Sequence, residues 1–141
     1  MNPEYPTTVR TKRDLIDYSL ERRATLLSLY RGLSSSSEAC DPNPYLKMAA
    51  KHHGELTDRA CPLCKKFNLV ELRYVYGDQL GQYTGRIKTI PELTEMEKEY
   101  GEFTVYTVEI CRDCGWNHLI SSYLLGDGIV RKPPRRGKTY E

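Results

Sequence analysis

Long apolar runs are absent from this sequence. No stretch of about 18 apolar residues occurs in the 141-residue chain, so no segment is predicted to insert into a membrane. The opening residues, MNPEYPTTVRTKRD, also lack the apolar core that a secretory signal requires. We therefore expect a cytoplasmic protein.

The motifs of common enzyme classes are missing as well. The sequence has no glycine-rich phosphate loop, no nucleophile elbow and no HExxH pair of metal-binding histidines. Its acidic residues are scattered, and no two of them form a convincing acid/base pair. These absences favour a protein that is not an enzyme.

Cysteine is scarce but regularly placed. Four of the five cysteines form two pairs, Cys61-Pro-Leu-Cys64 and Cys111-Arg-Asp-Cys114, each with two residues between the thiols. In a reducing cytosol such thiols are more often metal ligands than disulfides, and an odd number of cysteines argues against a closed disulfide framework. A tight turn with this spacing points two sulfurs at one ion, and two such turns supply the four ligands of a tetrahedral zinc site. We predict one structural Zn²⁺ bound by Cys61, Cys64, Cys111 and Cys114.

The surroundings of the two pairs favour an elaborated zinc ribbon. Gly115 follows the second pair and can adopt positive φ, whereas Lys65 holds the corresponding position after the first pair and suits it less well. The pairs are 46 residues apart, where about 15–20 is usual. Between them the patterns predict a strand, a glycine-spaced loop, an acidic helix beginning near Pro91 and a second strand. A thioredoxin-like redox pair is the competing interpretation, but the βαβ context that it needs is missing.

The remaining patterns predict an α+β fold, a three-stranded antiparallel zinc ribbon with an N-terminal helical segment. A helix is predicted from Thr11, with Arg22 on its solvated side and an apolar stripe formed by Leu15, Ile16, Leu20, Ala24, Leu27 and Tyr30. A second helix should follow Asn43 and Pro44 and stop at Gly54. The expected divisions are a disordered N-terminus (1–10), a helical segment packed on the ribbon (11–56), the ribbon (57–128) and a basic flexible tail (129–141).

Three further residues have both a functional and a structural interpretation. His118, four residues after Cys114, is the alternative metal ligand, although a position in a strand near the site is favoured. Cys40 could be a redox sensor or a replacement ligand, but a small buried apolar residue is the favoured interpretation. Trp116 could stack a base or anchor a partner, and covering the zinc site is favoured for it.

Positive charge is concentrated at the C-terminal end, although the net charge is only +2. The last eleven residues contain five basic side chains, Arg131, Lys132, Arg135, Arg136 and Lys138. They are the candidate nucleic-acid contacts, and such contacts would be sensitive to salt. The alternative is a solubilising tail, and the acidic helix favours a protein partner for the ribbon.

Several of these motifs resemble an actinobacterial family of unknown function. They are CDPNPYL from Cys40, CPLC from Cys61, the YGDQLG loop and CRDCGWNHL from Cys111, and the resemblance covers residues 11–125. It implies that the gene for this protein lies near a gene for a class A penicillin-binding protein, and hence a link to cell-envelope growth. It implies no catalytic activity.

The sequence thus predicts a non-enzymatic, regulatory zinc-ribbon module that docks on a protein or ribonucleoprotein partner. One alternative is direct nucleic-acid binding through the basic tail and the ribbon. Another is a thiol-based redox switch, in which Cys40 or a zinc thiolate is oxidised and the metal is released. The partner and the oligomeric state stay open.

Overall fold

The structure is a computed structural model, and it describes residues 12–32, 40 and 44–129. These residues form three α-helices, one 3₁₀-helix and five strands. In chain order they are β1 (Arg13–Asp17), α1 (Ser19–Tyr30), α2 (Pro44–His53), β2 (Glu55–Ala60), β3 (Asn68–Tyr76), the 3₁₀-helix (Asp78–Tyr83), α3 (Ile90–Glu99), β4 (Phe103–Ile110) and β5 (Asn117–Leu125).

The strands form one antiparallel sheet in the order β1-β5-β4-β3-β2. The strands predicted around the cysteine pairs are confirmed as β3, β4 and β5, but the prediction of three strands is wrong because β1 and β2 extend the sheet. β2 pairs with β3 through Glu55 opposite Glu71 and Leu56 opposite Val70, and the register shifts before Ala60. The sheet is therefore larger than that of a minimal zinc ribbon.

The helix predicted from Thr11 is wrong over residues 13–17, which form β1. Asp14 has a φ of 49°, which no right-handed helix accepts. Tyr18 donates its backbone N–H to the carbonyl of Ile120 at 2.9 Å, and the Ser19 N–H is bound by the Asp17 carboxylate at 2.8 Å where α1 begins. Pairing with a distant strand, which local periodicity cannot reveal, decides the conformation of this segment.

Helix α1 presents a different face to the core from the one its apolar stripe predicts. Leu20 is 70% exposed and Leu27 is 44% exposed, whereas Leu26 is buried. Leu26 and Leu29 pack in the apolar cluster that holds the cysteines. The predicted stripe therefore lies largely on the surface.

The chain divides into two compact units, each with its own apolar cluster. The first contains Arg73–Tyr106 together with residues 12–16 and 122–129. Its helix α3 confirms the predicted acidic helix, and it begins with a capping box between Thr89 and Glu92. The core of this unit consists of Val75, Leu80, Leu93, Met96, Phe103, Val105, Tyr123 and Leu125.

The second unit comprises Asp17–Leu72 and Thr107–Ser121 and contains both cysteine pairs. Helix α2 lies where the Pro44 signal predicts it, and it ends at Gly54 as expected. A Cβ atom on Gly54 would lie 1.9 Å from Cγ1 of Val70, so only glycine fits there. The buried residues of this unit's cluster are Leu26, Cys61, Leu69, Cys111 and Trp116.

Several predictions lie outside the described residues. They concern the N-terminus (1–10), the Asn43 cap, and the basic tail with Arg131, Lys132, Arg135, Arg136 and Lys138. Nucleic-acid contact through this tail stays a prediction. Among the helices that are described, none is long and apolar enough to cross a membrane.

Candidate metal centre

The four paired cysteines converge at one point. The sulfurs of Cys61, Cys64, Cys111 and Cys114 all lie within 4.8 Å of one another. Each pair occupies the turn between two strands, β2 and β3 for the first pair and β4 and β5 for the second. The sheet therefore brings together two turns that are distant in sequence.

Two of the sulfur–sulfur distances match the edges of a tetrahedral metal site. Cys61 Sγ lies 3.6 Å from Cys114 Sγ, and Cys64 Sγ lies 3.7 Å from Cys111 Sγ. A tetrahedron with zinc–sulfur bonds of about 2.3 Å has sulfur–sulfur edges of about 3.8 Å. A disulfide would need about 2.05 Å, and all four cysteines are free. The set therefore fits one metal ion enclosed by four thiolates.

The two turns have the same backbone construction. The Cys61 carbonyl accepts a hydrogen bond from the Lys65 N–H at 3.1 Å, and the Cys111 carbonyl accepts one from the Gly115 N–H at 3.0 Å. Both donors have positive φ, 58° at Lys65 and 89° at Gly115. The expectation for Gly115 is confirmed, and Lys65 adopts the same conformation at a cost of about 1 kcal/mol because it carries a Cβ.

The surroundings of the sulfurs differ in burial. Burial raises the pKa of Cys61 to about 12 and that of Cys114 to about 11. A hydrogen bond from the Lys66 backbone instead lowers the pKa of Cys64 to about 7. A metal ion that binds all four sulfurs must therefore displace protons from the two high-pKa thiols.

Cys40 lies against the cysteine cluster. It is half-buried and packs among the same residues. Burial raises the pKa of its thiol. The favoured interpretation as a small buried residue describes its burial but not its proximity to the other sulfurs. No local pattern around Cys40 signals that proximity.

A buried carboxylate anchors this unit. The side chain of Glu109 is 0% exposed, and it accepts hydrogen bonds from Trp116 Nε1 at 2.8 Å, Arg22 Nε at 2.6 Å and Arg59 Nη1 at 2.8 Å. Burial raises the pKa of Glu109, but the three donors outweigh it and hold the pKa below its usual range. Arg59 also pairs with Glu71. The carboxylate is therefore ionised at neutral pH and fully bonded.

Sequence reasoning missed the Glu109 network. Arg22 does not belong to a solvated side, because it binds a buried carboxylate, and that prediction is wrong. The available signal is the alternation along β4, which places Glu109 on the same buried face as Phe103, Val105 and Thr107. A charged residue at such a position requires partners.

Trp116 and His118 stack beside the cysteines, with ring centroids 5.8 Å apart and planes 17° from parallel. Trp116 is 0% exposed and packs with Cys61 and Cys111, which confirms that it covers the site. Base stacking by Trp116 is thereby ruled out. His118 shares a hydrogen bond with the Leu119 carbonyl at 2.7 Å, and within the described residues it is not part of the ligand group.

Together these features define a class, an α+β protein with a five-stranded antiparallel sheet and a four-cysteine cluster suited to a metal ion. The chain belongs to the Family of unknown function (DUF5318), which it matches over residues 9–139. The resemblance to a family of unknown function is thus confirmed, but its predicted bounds of 11–125 are wrong, because the match extends into the basic tail. The link to a penicillin-binding protein gene stays a prediction.

Mycobacterial relatives share most of this chain. It is 44% identical over 120 residues to the uncharacterized protein Rv0049 of Mycobacterium tuberculosis, and the match covers 85% of this chain and 88% of that protein. The uncharacterized protein Mb0050 of Mycobacterium bovis has the same identity and coverage. No solved structure matches the chain.

Proposed function

We propose that this protein is a non-enzymatic, regulatory module that is stabilised by one zinc ion and docks on a protein or ribonucleoprotein partner. The observation that carries the proposal is the group of four sulfurs within 4.8 Å, contributed by two matching turns. A metal bound at such a site fixes the conformation of both turns at once. The protein surface around the turns is then held in one arrangement.

The donor set supports a structural role for the metal. Four thiolates complete the tetrahedral coordination of zinc and leave no position for a water molecule or substrate. Cys61 and Cys111 are buried among Leu26, Leu69 and Trp116, as expected for a core element. Structural zinc contributes on the order of 10–16 kcal/mol in small modules, which is comparable to the whole stability of a domain. Folding of the unit should therefore require the metal.

Exposed apolar side chains in the same unit support a docking role. Leu20, Tyr45, Met48, Leu56 and Phe67 are each more than half exposed. Two of them, Leu56 and Phe67, line one groove, and grouped apolar side chains on a surface mark interaction sites. The acidic helix α3 and the basic residues near the turns provide charges of both signs for recognition.

In-cell cross-linking tests the proposal. The tagged protein is expressed in its native host and cross-linked through its lysines, and the covalent adducts are identified by mass spectrometry. We expect a protein or ribonucleoprotein adduct with the zinc-loaded wild type and its loss with Cys111→Ser. A folded, zinc-loaded protein that forms no adduct with any macromolecule would contradict the docking role.

A thiol redox switch is a second candidate, favoured by the packing of Cys40 and Cys114 against the same buried cluster. Hydrogen peroxide would accept two electrons from the Cys40 thiol and the metal-bound Cys114 thiolate, with one proton from Cys40 and one from the solvent. The products would be one disulfide and two water molecules, and the metal would lose one ligand. Zinc release at peroxide doses that spare ordinary structural sites would support this candidate. Release that is unchanged in Cys40→Ser would refute the role of Cys40.

A further inference from the structure

A groove lies beside the two cysteine turns and does not belong to the metal centre. Its volume is about 650 Å³, and it is lined by Leu56, Lys66, Phe67, Asn68, Arg112 and Asp113. All six residues belong to the unit that contains the cysteines. We call this feature the turn groove.

The lining combines an apolar pair with two cations. Leu56 is 65% exposed and Phe67 is 52% exposed, and both line the same groove. Lys66 and Arg112 are exposed beside them. The volume lies within the range of about 300–1,000 Å³ that is usual for binding sites. The turn groove thus offers an apolar surface next to positive charge.

We propose that the turn groove binds an extended segment of a partner protein that carries an apolar side chain flanked by carboxylates. The proposal rests on the docking function above and specifies the partner's chemistry. The apolar side chain contacts Leu56 and Phe67, while the carboxylates pair with Lys66 and Arg112. Charge complementarity of this kind selects partners as well as attracting them.

The sheet offers a second means of recognition through the strand that carries Leu56. Leu56 belongs to β2, which is the last strand in the order β1-β5-β4-β3-β2 and therefore an edge of the described sheet. An extended peptide can add to such an edge through main-chain hydrogen bonds, while pockets for alternate side chains give specificity. The apolar pair and the edge strand thus favour the same occupant.

Two acceptors in the groove favour a peptide over a nucleic acid. Asp113 and the amide of Asn68 line the groove together with the cations. A peptide main chain provides an N–H donor at nearly every residue for these oxygens, whereas the phosphodiester backbone provides acceptors and only the bases and ribose hydroxyls of a nucleic acid donate. The lining therefore suits a peptide, whose main chain carries both hydrogen-bond donors and hydrogen-bond acceptors.

The turn groove depends on the metal centre because the cysteine turns build it. Arg112 and Asp113 lie between Cys111 and Cys114, and Lys66 and Phe67 follow Cys64 within three residues. A metal ion that fixes these turns also fixes the positions of the lining side chains. Binding to the groove should therefore require metal-loaded protein.

A set of designed peptides tests the proposal by fluorescence anisotropy with the zinc-loaded full-length protein. Each labelled ten-residue peptide has either Leu-Phe or Ser-Ser at its centre and either glutamate or lysine in its flanks. We expect the apolar, glutamate-flanked peptide to bind at least tenfold more tightly than each of the other three.

Variants connect this preference to the groove. Phe67→Ser should weaken binding of the preferred peptide about tenfold. The double variant Lys66→Glu with Arg112→Glu should reverse the preference from glutamate to lysine flanks. Lys98→Glu, on α3, is the matched control and should change nothing. Zinc content and Trp116 emission, measured for each variant, show that it is folded.

The possible results separate this proposal from the proposed function. No peptide preference, or no reversal in the double variant, would overturn the turn groove as a peptide site. Tighter binding of a labelled oligouridylate, weakened by Phe67→Ser, would overturn it in favour of a nucleic acid. Cellular adducts that persist in Phe67→Ser would refute the groove but leave the docking function standing, whereas absence of all adducts would refute the docking function itself.

Discussion

Replacing Glu109 by glutamine should lower the free energy of unfolding by about 2–4 kcal/mol. The substitution preserves the size of the side chain, so packing around it is unchanged. It replaces one acceptor oxygen with an amide donor, which then faces either Arg59 alone or both Arg22 and Trp116. It also removes the negative charge that both guanidinium groups share.

The magnitude follows from the burial of each group. Removing one partner of a fully buried ion pair costs about 3–5 kcal/mol, and a hydrogen bond to a charged group contributes about 1.5–3 kcal/mol. The carboxylate is 0% exposed, but Arg22 is 28% exposed and Arg59 is 41% exposed. Water can therefore solvate the two arginines in part, which places the expected cost below the upper limit.

Urea unfolding of zinc-loaded protein measures this effect, with Trp116 as the probe. Trp116 is the only tryptophan in the chain and is fully buried, so its emission reports unfolding of this unit. Glu21→Gln is the matched control, because Glu21 is an exposed glutamate on α1 in the same unit. We expect the control to change stability by less than about 0.5 kcal/mol. An equally small change for Glu109→Gln would refute the role assigned to the buried carboxylate.

Further substitutions, measured by the same unfolding assay, test the fold around the site. Lys65→Gly should stabilise the protein by up to about 1 kcal/mol because it relieves positive φ, whereas Lys66→Gly should destabilise it by about 0.5–1 kcal/mol. Leu26→Ala should lower the free energy of unfolding by about 2–4 kcal/mol, and Leu20→Ser should lower it by less than about 0.5 kcal/mol. The reverse order would show that the apolar stripe of α1 faces the core. Gly54→Ala should cost about 1–3 kcal/mol because its Cβ meets Val70, and a neutral result would contradict the close approach of α2 and β3.

The cysteine cluster could be predicted from sequence because the signal is local. The spacing within each pair, together with the strand patterns on either side, is sufficient to predict that the two turns face one point. The positive φ at Gly115 is equally local, since it follows from the turn itself. The short acidic helix could also be predicted, because Thr89 and Glu92 carry the capping signal in adjacent residues.

The features that could not be predicted depend on contacts between distant parts of the chain. Residues 13–17 have a helical apolar period, but their pairing with β5 makes them a strand. The orientation of α1 depends on Arg22 reaching Glu109, a contact 87 residues away in sequence. Cys40 joins the cluster through tertiary packing alone. Periodicity identifies an apolar face, but it does not specify what that face contacts.

Elemental analysis of the purified protein, combined with thermal unfolding, tests the central claim most directly. We expect one zinc per chain in the wild type and in Cys40→Ser, because Cys40 lies beside the four-sulfur group without belonging to it. Cys111→Ser should lose both the metal and cooperative unfolding of the cysteine unit. A wild-type protein that contains no metal and still unfolds cooperatively would contradict the zinc site. Redox chemistry of the cysteine pairs would then be the favoured interpretation.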